Sequence, residues 1–316
     1  MELWRKMSLN ETKKQFLQYL QVVKNASPHT VRNYAIDLGH FHDFLIEENP
    51  PSPDYPMASI NHKIIRNFLA QQTAKKQNRK TVVRRLSALR SFFKYAFEQK
   101  LIETNPAEIL ETPKVEKKIP SSLTYDQVVV LFELPDTTTY LGLRDRAIME
   151  LFYSSGLRIS ELVALNRHDI DFSNLLMKLK GKGKKERIVP ITRNAAHWIQ
   201  TYLKSPERHQ SVDGHLPEKD PDAIFLNKLG TRLTTRSIDR HFQDYLKRSG
   251  LAGKATPHTL RHTIATHWLE KGMDLKSIQT ILGHSALATT TIYTKVSNTL
   301  KIKTYNESHP RAKKKS

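Results

Sequence analysis

At 316 residues the chain is long enough for two domains, each with its own buried core. Lysine and arginine number 51 against 31 acidic residues, a formal charge of +20 with an isoelectric point near 9.9, and such an excess points to a polyanion, either nucleic acid or an acidic membrane surface. The absence of cysteine excludes disulfides, thiolate nucleophiles and Cys-ligated zinc; with neither a membrane-spanning apolar run nor the apolar stretch of a secretory signal after Met1, an intracellular, cytoplasmic protein is expected.

The first hundred residues read as a small helical domain. Ser27-Pro28 supplies an N-cap followed by proline at the first helical position, and Val31, Tyr34, Leu38, Phe41 and Leu45 then recur on one apolar face. A second helix is predicted over 60–74, with Ile64, Ile65, Phe68 and Leu69 turned inward. A third is predicted over 79–101, with Val82, Leu86, Leu89, Phe93 and Phe97 on its buried side. Its other faces carry Lys80, Arg84, Arg85, Arg90 and Lys94. Charge on a helix usually marks a solvated face, but every charge before Glu98 is positive, which favours a phosphate-facing surface.

Periodicity fades from Asn105 to Ser122, where Pro106, Pro113 and Pro120 stand among lysines, the composition of a linker. Thr124-Tyr125-Asp126-Gln127 is a capping box, and helical signals follow through Arg146 to Phe152. Two short apolar-rich runs between Leu175 and Ile191 flank Gly181-Lys182-Gly183, a β-hairpin with Lys182 at or beside its tip. Residues 205–222 read as a polar surface insertion, and the chain after Thr234 reads as helices joined by short turns.

Chemistry-bearing residues concentrate late in the chain. Thr256 caps and Pro257 begins a helix, so His258 falls in the first turn, where backbone N–H groups and the helix dipole favour anions; Arg261 and His262 follow on the same face. Two histidines at this spacing are also a zinc pattern. The metalloprotease form needs Glu where Thr259 stands, and Arg261 would set a fixed cation beside the metal. Asp274 caps a further helix that Gly283 stops, which leaves His284 just past its end, and Tyr293 lies in the next short helix. Arg158 emerges after the break at Gly156. Taken singly, each has an ordinary alternative: a polar helix start for His258, a surface histidine for His284, packing for Tyr293, and an ion pair with Glu161 or Asp145 for Arg158.

As a set they resemble one family. Gly156-Leu157-Arg158-Ile159-Ser160-Glu161-Leu162, Gly181-Lys182-Gly183-Lys184-Lys185-Glu186-Arg187-Ile188-Val189-Pro190, Thr256-Pro257-His258-Thr259-Leu260-Arg261-His262, Leu282-Gly283-His284 and Ile292-Tyr293-Thr294 are similar to the motifs of the tyrosine site-specific recombinases, in the family's order. The similarity is greatest to the bacterial XerC/XerD group and extends to the N-terminal Arg85-Leu86-Ser87-Ala88-Leu89-Arg90-Ser91-Phe92. The ending His309-Pro310-Arg311-Ala312-Lys313 lies nearer the XerC side.

The resemblance implies a mainly α fold arranged as a two-domain C-shaped clamp on double-stranded DNA. A SAM-like core-binding domain over 9–102 and a linker over 103–121 would precede a mainly helical catalytic domain with a small antiparallel β-sheet over 122–305 and a basic tail over 306–316. It implies Tyr293 as the nucleophile of a 3′-phosphotyrosyl intermediate, Arg158 and Arg261 as clamps on the non-bridging oxygens, and His284 as a further phosphate donor. Lys182 would be the general acid and His258 the general base, with no metal or other cofactor. The implied partners are a XerD-like recombinase in a heterotetramer and a DNA translocase that activates exchange, in chromosome-dimer resolution at cell division. A phage or transposon integrase would share the chemistry, and a non-enzymatic DNA-binding regulator would share only the binding.

Overall fold

The computed structural model describes residues 7–48, 55–113, 122–181, 186–211, 214–253 and 255–283. The chain divides into two compact units, Met1–Lys117 and Lys118–Ser316.

Among the described residues of the first unit four α-helices form: α1 (Leu9–Val22), α2 (Pro28–Glu48), α3 (His62–Ala74) and α4 (Arg79–Glu98). Each start has a local chemical cause. Ser8 and Glu11 close a capping box on α1, the Ser27 hydroxyl accepts from the Thr30 N–H at α2, and the Asn61 and Asn78 side chains cap α3 and α4. The Asn61 cap sets α3 two residues later than its apolar pattern suggested, so Ile60 is buried from the preceding turn instead. Phe16, Leu38, Phe41, Leu45, Phe68, Leu86, Phe92 and Phe93 form the core, and edge-to-face pairs such as Phe16–Phe92 and Phe41–Phe68 lock its rings.

Three details depart from the sequence expectation. Phe97, expected inward, is about half exposed in the last turn of α4. Two residues of the expected linker, Ala107 and Leu110, are buried in the first unit's core, and the Arg90 guanidinium binds the Leu110 carbonyl and the Thr112 hydroxyl. Arg85 does not belong to a solvated basic face. It is buried, bonded to Gln72 and facing the Asp37 carboxylate at 3.8 Å, and Arg84 bonds that carboxylate at 2.6 Å.

The second unit begins with α5 (Tyr125–Glu133), started by the Thr124–Gln127 capping box, and α6 (Tyr140–Ser155), whose apolar residues form the centre of the core. Leu123, just before α5, spends both backbone polar groups on one later helix. Its N–H donates to the Thr263 hydroxyl at 3.0 Å, and its carbonyl accepts from His267 Nε2 at 3.0 Å. With Nε2 so committed as donor, Nδ1 of His267 accepts from the Tyr153 hydroxyl at 2.8 Å.

After α7 (Ile159–Ala164) come β1 (Ile170–Asp171), β2 (Leu176–Lys180) and β3 (Glu186–Pro190), an antiparallel sheet in that order. β2 and β3 are the expected hairpin, paired from Leu176–Pro190 to Lys180–Glu186; β1, not foreseen, adds two residues at the edge. Met177, Leu179 and Val189 face the core. Next is α8 (Arg193–Leu203), followed by the segment read as a surface insertion, which is pinned by a fully buried side chain. Arg208 lies over the Tyr202 ring and bonds Glu218 at 2.8 Å and the Ile224 carbonyl at 2.8 Å. The described residues end with α9 (Thr235–Arg248), α10 (Pro257–Glu270) and α11 (Leu275–Leu282). Among the described residues no helix is long and apolar enough to cross a membrane.

Candidate active site

Helix α6 stops at Gly156, a left-handed C-cap with φ of 57°. The position is closed to larger residues, because a Cβ there would stand 2.7 Å from Leu282 Cδ2 and 3.3 Å from Ile264 Cγ2. Leu157 is then buried, which turns Arg158 out at the N-cap of α7. No hydroxyl or amide side chain caps this helix; instead Glu161 reaches back and accepts from the Arg158 N–H at 2.7 Å.

That carboxylate is a hub. It also accepts from the Arg158 guanidinium at 2.9 Å and from both Nη atoms of Arg187 on β3, at 2.7 and 2.9 Å. Burial pushes the Glu161 carboxyl up, but hydrogen bonds from Arg187 and from the Arg158 backbone, with the charge of Arg187, outweigh it and hold the group below its ordinary value. It is therefore an anion at neutral pH. Of the two acids considered for Arg158, the structure uses Glu161. Asp145 is occupied elsewhere, by Arg144 at 2.7 Å and the Tyr245 hydroxyl at 3.0 Å.

Helix α11 carries the second half of the site. Asp274 caps its start and Gly283, with φ of 65°, its end. Its last carbonyls would lack helical partners, and three arginines from three different elements supply them. Ile281 accepts from Arg187 Nε at 3.0 Å, Leu282 from Arg261 Nη2 at 2.6 Å, and Gly283 from Arg158 Nη2 at 3.0 Å. Three cations at the negative end of a helix dipole are also favourable electrostatically. Arg261, on α10, additionally bonds the Gly156 carbonyl and is buried. Thr256 caps α10 and Pro257 opens it, so position 258 falls in its first turn, as its sequence implied.

The structure thus brings Arg158 and Arg261 together on consecutive carbonyls immediately before His284. The Arg158 side chain remains 39% exposed, enough to reach an incoming anion, whereas Arg261 lies beneath. Two guanidinium groups so held are suited to the charge that develops on a phosphoryl group in transfer, because donors fixed in advance cost no reorganisation. His262 is buried, with Thr266 bonded to its carbonyl, and takes no part in an exposed surface. The side chain of His258 and all of Lys182, His284 and Tyr293 lie outside the described residues.

Among the expected DNA-facing residues of the first unit, Lys80, Arg84 and Lys94 are exposed, Arg84 with one nitrogen on Asp37 and Lys94 with Glu98 at 3.8 Å; Arg85 is buried, and Arg90 is half-buried and held by the contacts given above. Sequence reasoning missed Arg187. The signal was present: in Glu186-Arg187-Ile188-Val189-Pro190 strand alternation puts Arg187 in phase with buried Val189, and a cation on the inner face of a strand needs a buried anion.

The described residues of the second unit thus form a mainly helical body with a three-stranded sheet and an arginine pair gathered at one helix end. Residues 14–100 match the phage integrase N-terminal SAM-like domain and residues 121–299 the phage integrase family. The chain belongs to the phage integrase family, the tyrosine site-specific recombinases. It is 52% identical to the tyrosine recombinase XerC of Chlamydia pneumoniae over 94% of this chain and 98% of that protein. Among solved structures it is similar to the XerA recombinase, with a TM-score of 0.51 and 27% identity over 96% of this chain and 99% of that one. It also shares the fold of the XerH site-specific recombinase bound to its palindromic difH substrate, with a TM-score of 0.69 and 23% identity over 92% and 84%.

Proposed function

We propose that this chain cuts and rejoins double-stranded DNA at specific sites, with Tyr293 as nucleophile. The Tyr293 oxygen attacks the scissile phosphorus and its proton passes to His258; the P–O bond to the 5′-oxygen breaks, and that oxygen takes a proton from Lys182. Arg158, Arg261 and His284 meet the negative charge on the non-bridging oxygens. The product is a 3′-phosphotyrosyl link that keeps the bond energy, so a 5′-hydroxyl can reverse the step without ATP. The observation that carries this reading is the seating of Arg158 and Arg261 on the consecutive carbonyls of Gly283 and Leu282, where the chain enters His284.

The similarity to XerC supports a narrower role: resolution of chromosome dimers at cell division, in the cytoplasm, beside a related XerD-like recombinase in a heterotetramer and under a DNA translocase. In this reading the first unit grips the DNA half-site through exposed cations such as Lys80 and Lys94. The test is incubation with nicked suicide substrates carrying candidate sites. A covalent DNA adduct mapping to Tyr293 is expected, and Tyr293→Phe should bind the same DNA without forming it. No adduct on any bound site refutes the enzyme reading and leaves a DNA-binding regulator. Exchange between two sites only when a XerD-like partner is added supports the narrower role, and self-sufficient exchange on a mobile-element end refutes it.

A further inference from the structure

We propose that Arg187 is a positioning residue that sets the Arg158 phosphate clamp, acting through Glu161 and the end of α11. The inference rests on the recombinase reading.

All three guanidinium nitrogens of Arg187 are committed. Its two Nη atoms take the two Glu161 oxygens, a planar fork on a planar carboxylate, and Nε takes the Ile281 carbonyl. Its charge is spent on the Glu161 carboxylate, unlike that of Arg261, which rests on neutral carbonyls. Arg158 uses the same two anchors one step along: the same carboxylate through Nη1, and Gly283 two residues beyond Ile281 through Nη2. Arg187 therefore fixes both objects that determine where the Arg158 guanidinium stands. Gly283 fits the same plan, because a Cβ there would stand 3.1 Å from Nε, Cδ and Cζ of Arg187; the helix end lies flat against this side chain.

Charge supports the assignment. Arg158 alone would neutralise the buried Glu161 and forfeit attraction for a phosphate. With Arg187 sharing the carboxylate, one anion faces two cations and a positive excess remains at the more exposed of them. Loss of Arg187 would let Glu161 draw Arg158 inward and would loosen the helix end that precedes His284.

The test compares single-turnover adduct formation by the full-length wild type and Arg187→Gln on three versions of one nicked substrate. On the natural phosphate a loss on the order of a hundredfold is expected, the scale of a misplaced catalytic group, with DNA affinity close to wild type; the unfolding midpoint should fall, because Glu161 loses a buried partner, so rates are compared where both proteins are folded. On a methylphosphonate, which lacks one non-bridging charge, the gap between variant and wild type should shrink about tenfold or more, because the clamp has less charge to meet. On a 5′-bridging phosphorothiolate, whose thiolate leaves without an acid, the gap should persist. A gap that closes on the sulfur substrate instead would show that Arg187 serves the hairpin and Lys182; a gap unchanged on both, or no gap at all, would show a scaffold residue, and either result overturns the proposal. Arg187→Lys is read the same way should the glutamine variant not fold, and it should stay slow, because an ammonium cannot hold both carboxylate oxygens and the Ile281 carbonyl. Full activity in the lysine variant would overturn the geometric argument. Absence of adduct with wild type would instead refute the recombinase reading itself.

Discussion

Gly156→Ala isolates the contact between the end of α6 and the end of α11. Two costs act together. The left-handed backbone, with φ of 57°, costs an L-residue about 1–2 kcal/mol. The added Cβ would stand 2.7 Å from Leu282 Cδ2 and 3.3 Å from Ile264 Cγ2, an overpacking that typically costs about 1–3 kcal/mol. The sum is about 2–5 kcal/mol. Gly250 is the matched control, since its φ is 71° but no atom lies within 4 Å of the added carbon; Gly250→Ala should cost only the backbone share, about 1–2 kcal/mol. Urea unfolding of both full-length variants, followed by circular dichroism, gives the comparison. Adduct formation should separate them further, because Leu282 and Gly156 are the residues whose carbonyls seat Arg261. Equal shifts in midpoint for the two alanines would refute the close approach, and a fully active Gly156→Ala would refute the link between that contact and the clamp.

Glu161 and Asp145 are both held below the ordinary carboxylate value, although burial alone would raise them. Depressed groups of this kind add stability that is complete above the ordinary carboxylate range and is lost as pH falls through and below it, so the melting temperature should drop in that acid window and Glu161→Gln should flatten the drop. Arg85→Ala should destabilise the first unit toward the lower end of about 3–5 kcal/mol in urea unfolding, since Arg84 stays on the abandoned Asp37, while Lys80→Ala should leave stability unchanged. DNA binding should weaken steeply with salt. Lys80→Ala should lower the slope of log affinity against log salt by about 1, and a flat response in the wild type would sink the phosphate-facing assignment.

Much of the fold was legible because its causes are local. The capping signals at Ser27, Thr124, Thr256 and Asp274 and the stops at Gly156 and Gly283 act within one helical turn, and each marks an observed boundary. The hairpin followed from two runs around Gly181. Features made by distant partners were harder to read. Arg85 looked like one more surface cation because its anion, Asp37, belongs to another helix, and Arg208 looked like loop polarity because its aromatic bed and carbonyl acceptors come from either side of the insertion. The candidate site divides along the same line. Arg158 and Arg261 are recognisable from their motifs, but the use of α11 carbonyls as their seats depends on three-dimensional packing. Glu161 was legible only as a neighbour of Arg158, and its second cation, Arg187, required taking the phase of a five-residue strand literally.

The two backbone bonds of Leu123 have a mechanical meaning. Both of its polar groups end on Thr263 and His267, one turn apart on α10, so the chain is riveted to that helix where the second unit begins to be described. These two bonds act beside the covalent path into α5, so the start of the described second unit is tied at once to two helices, α5 and the α10 that carries Arg261.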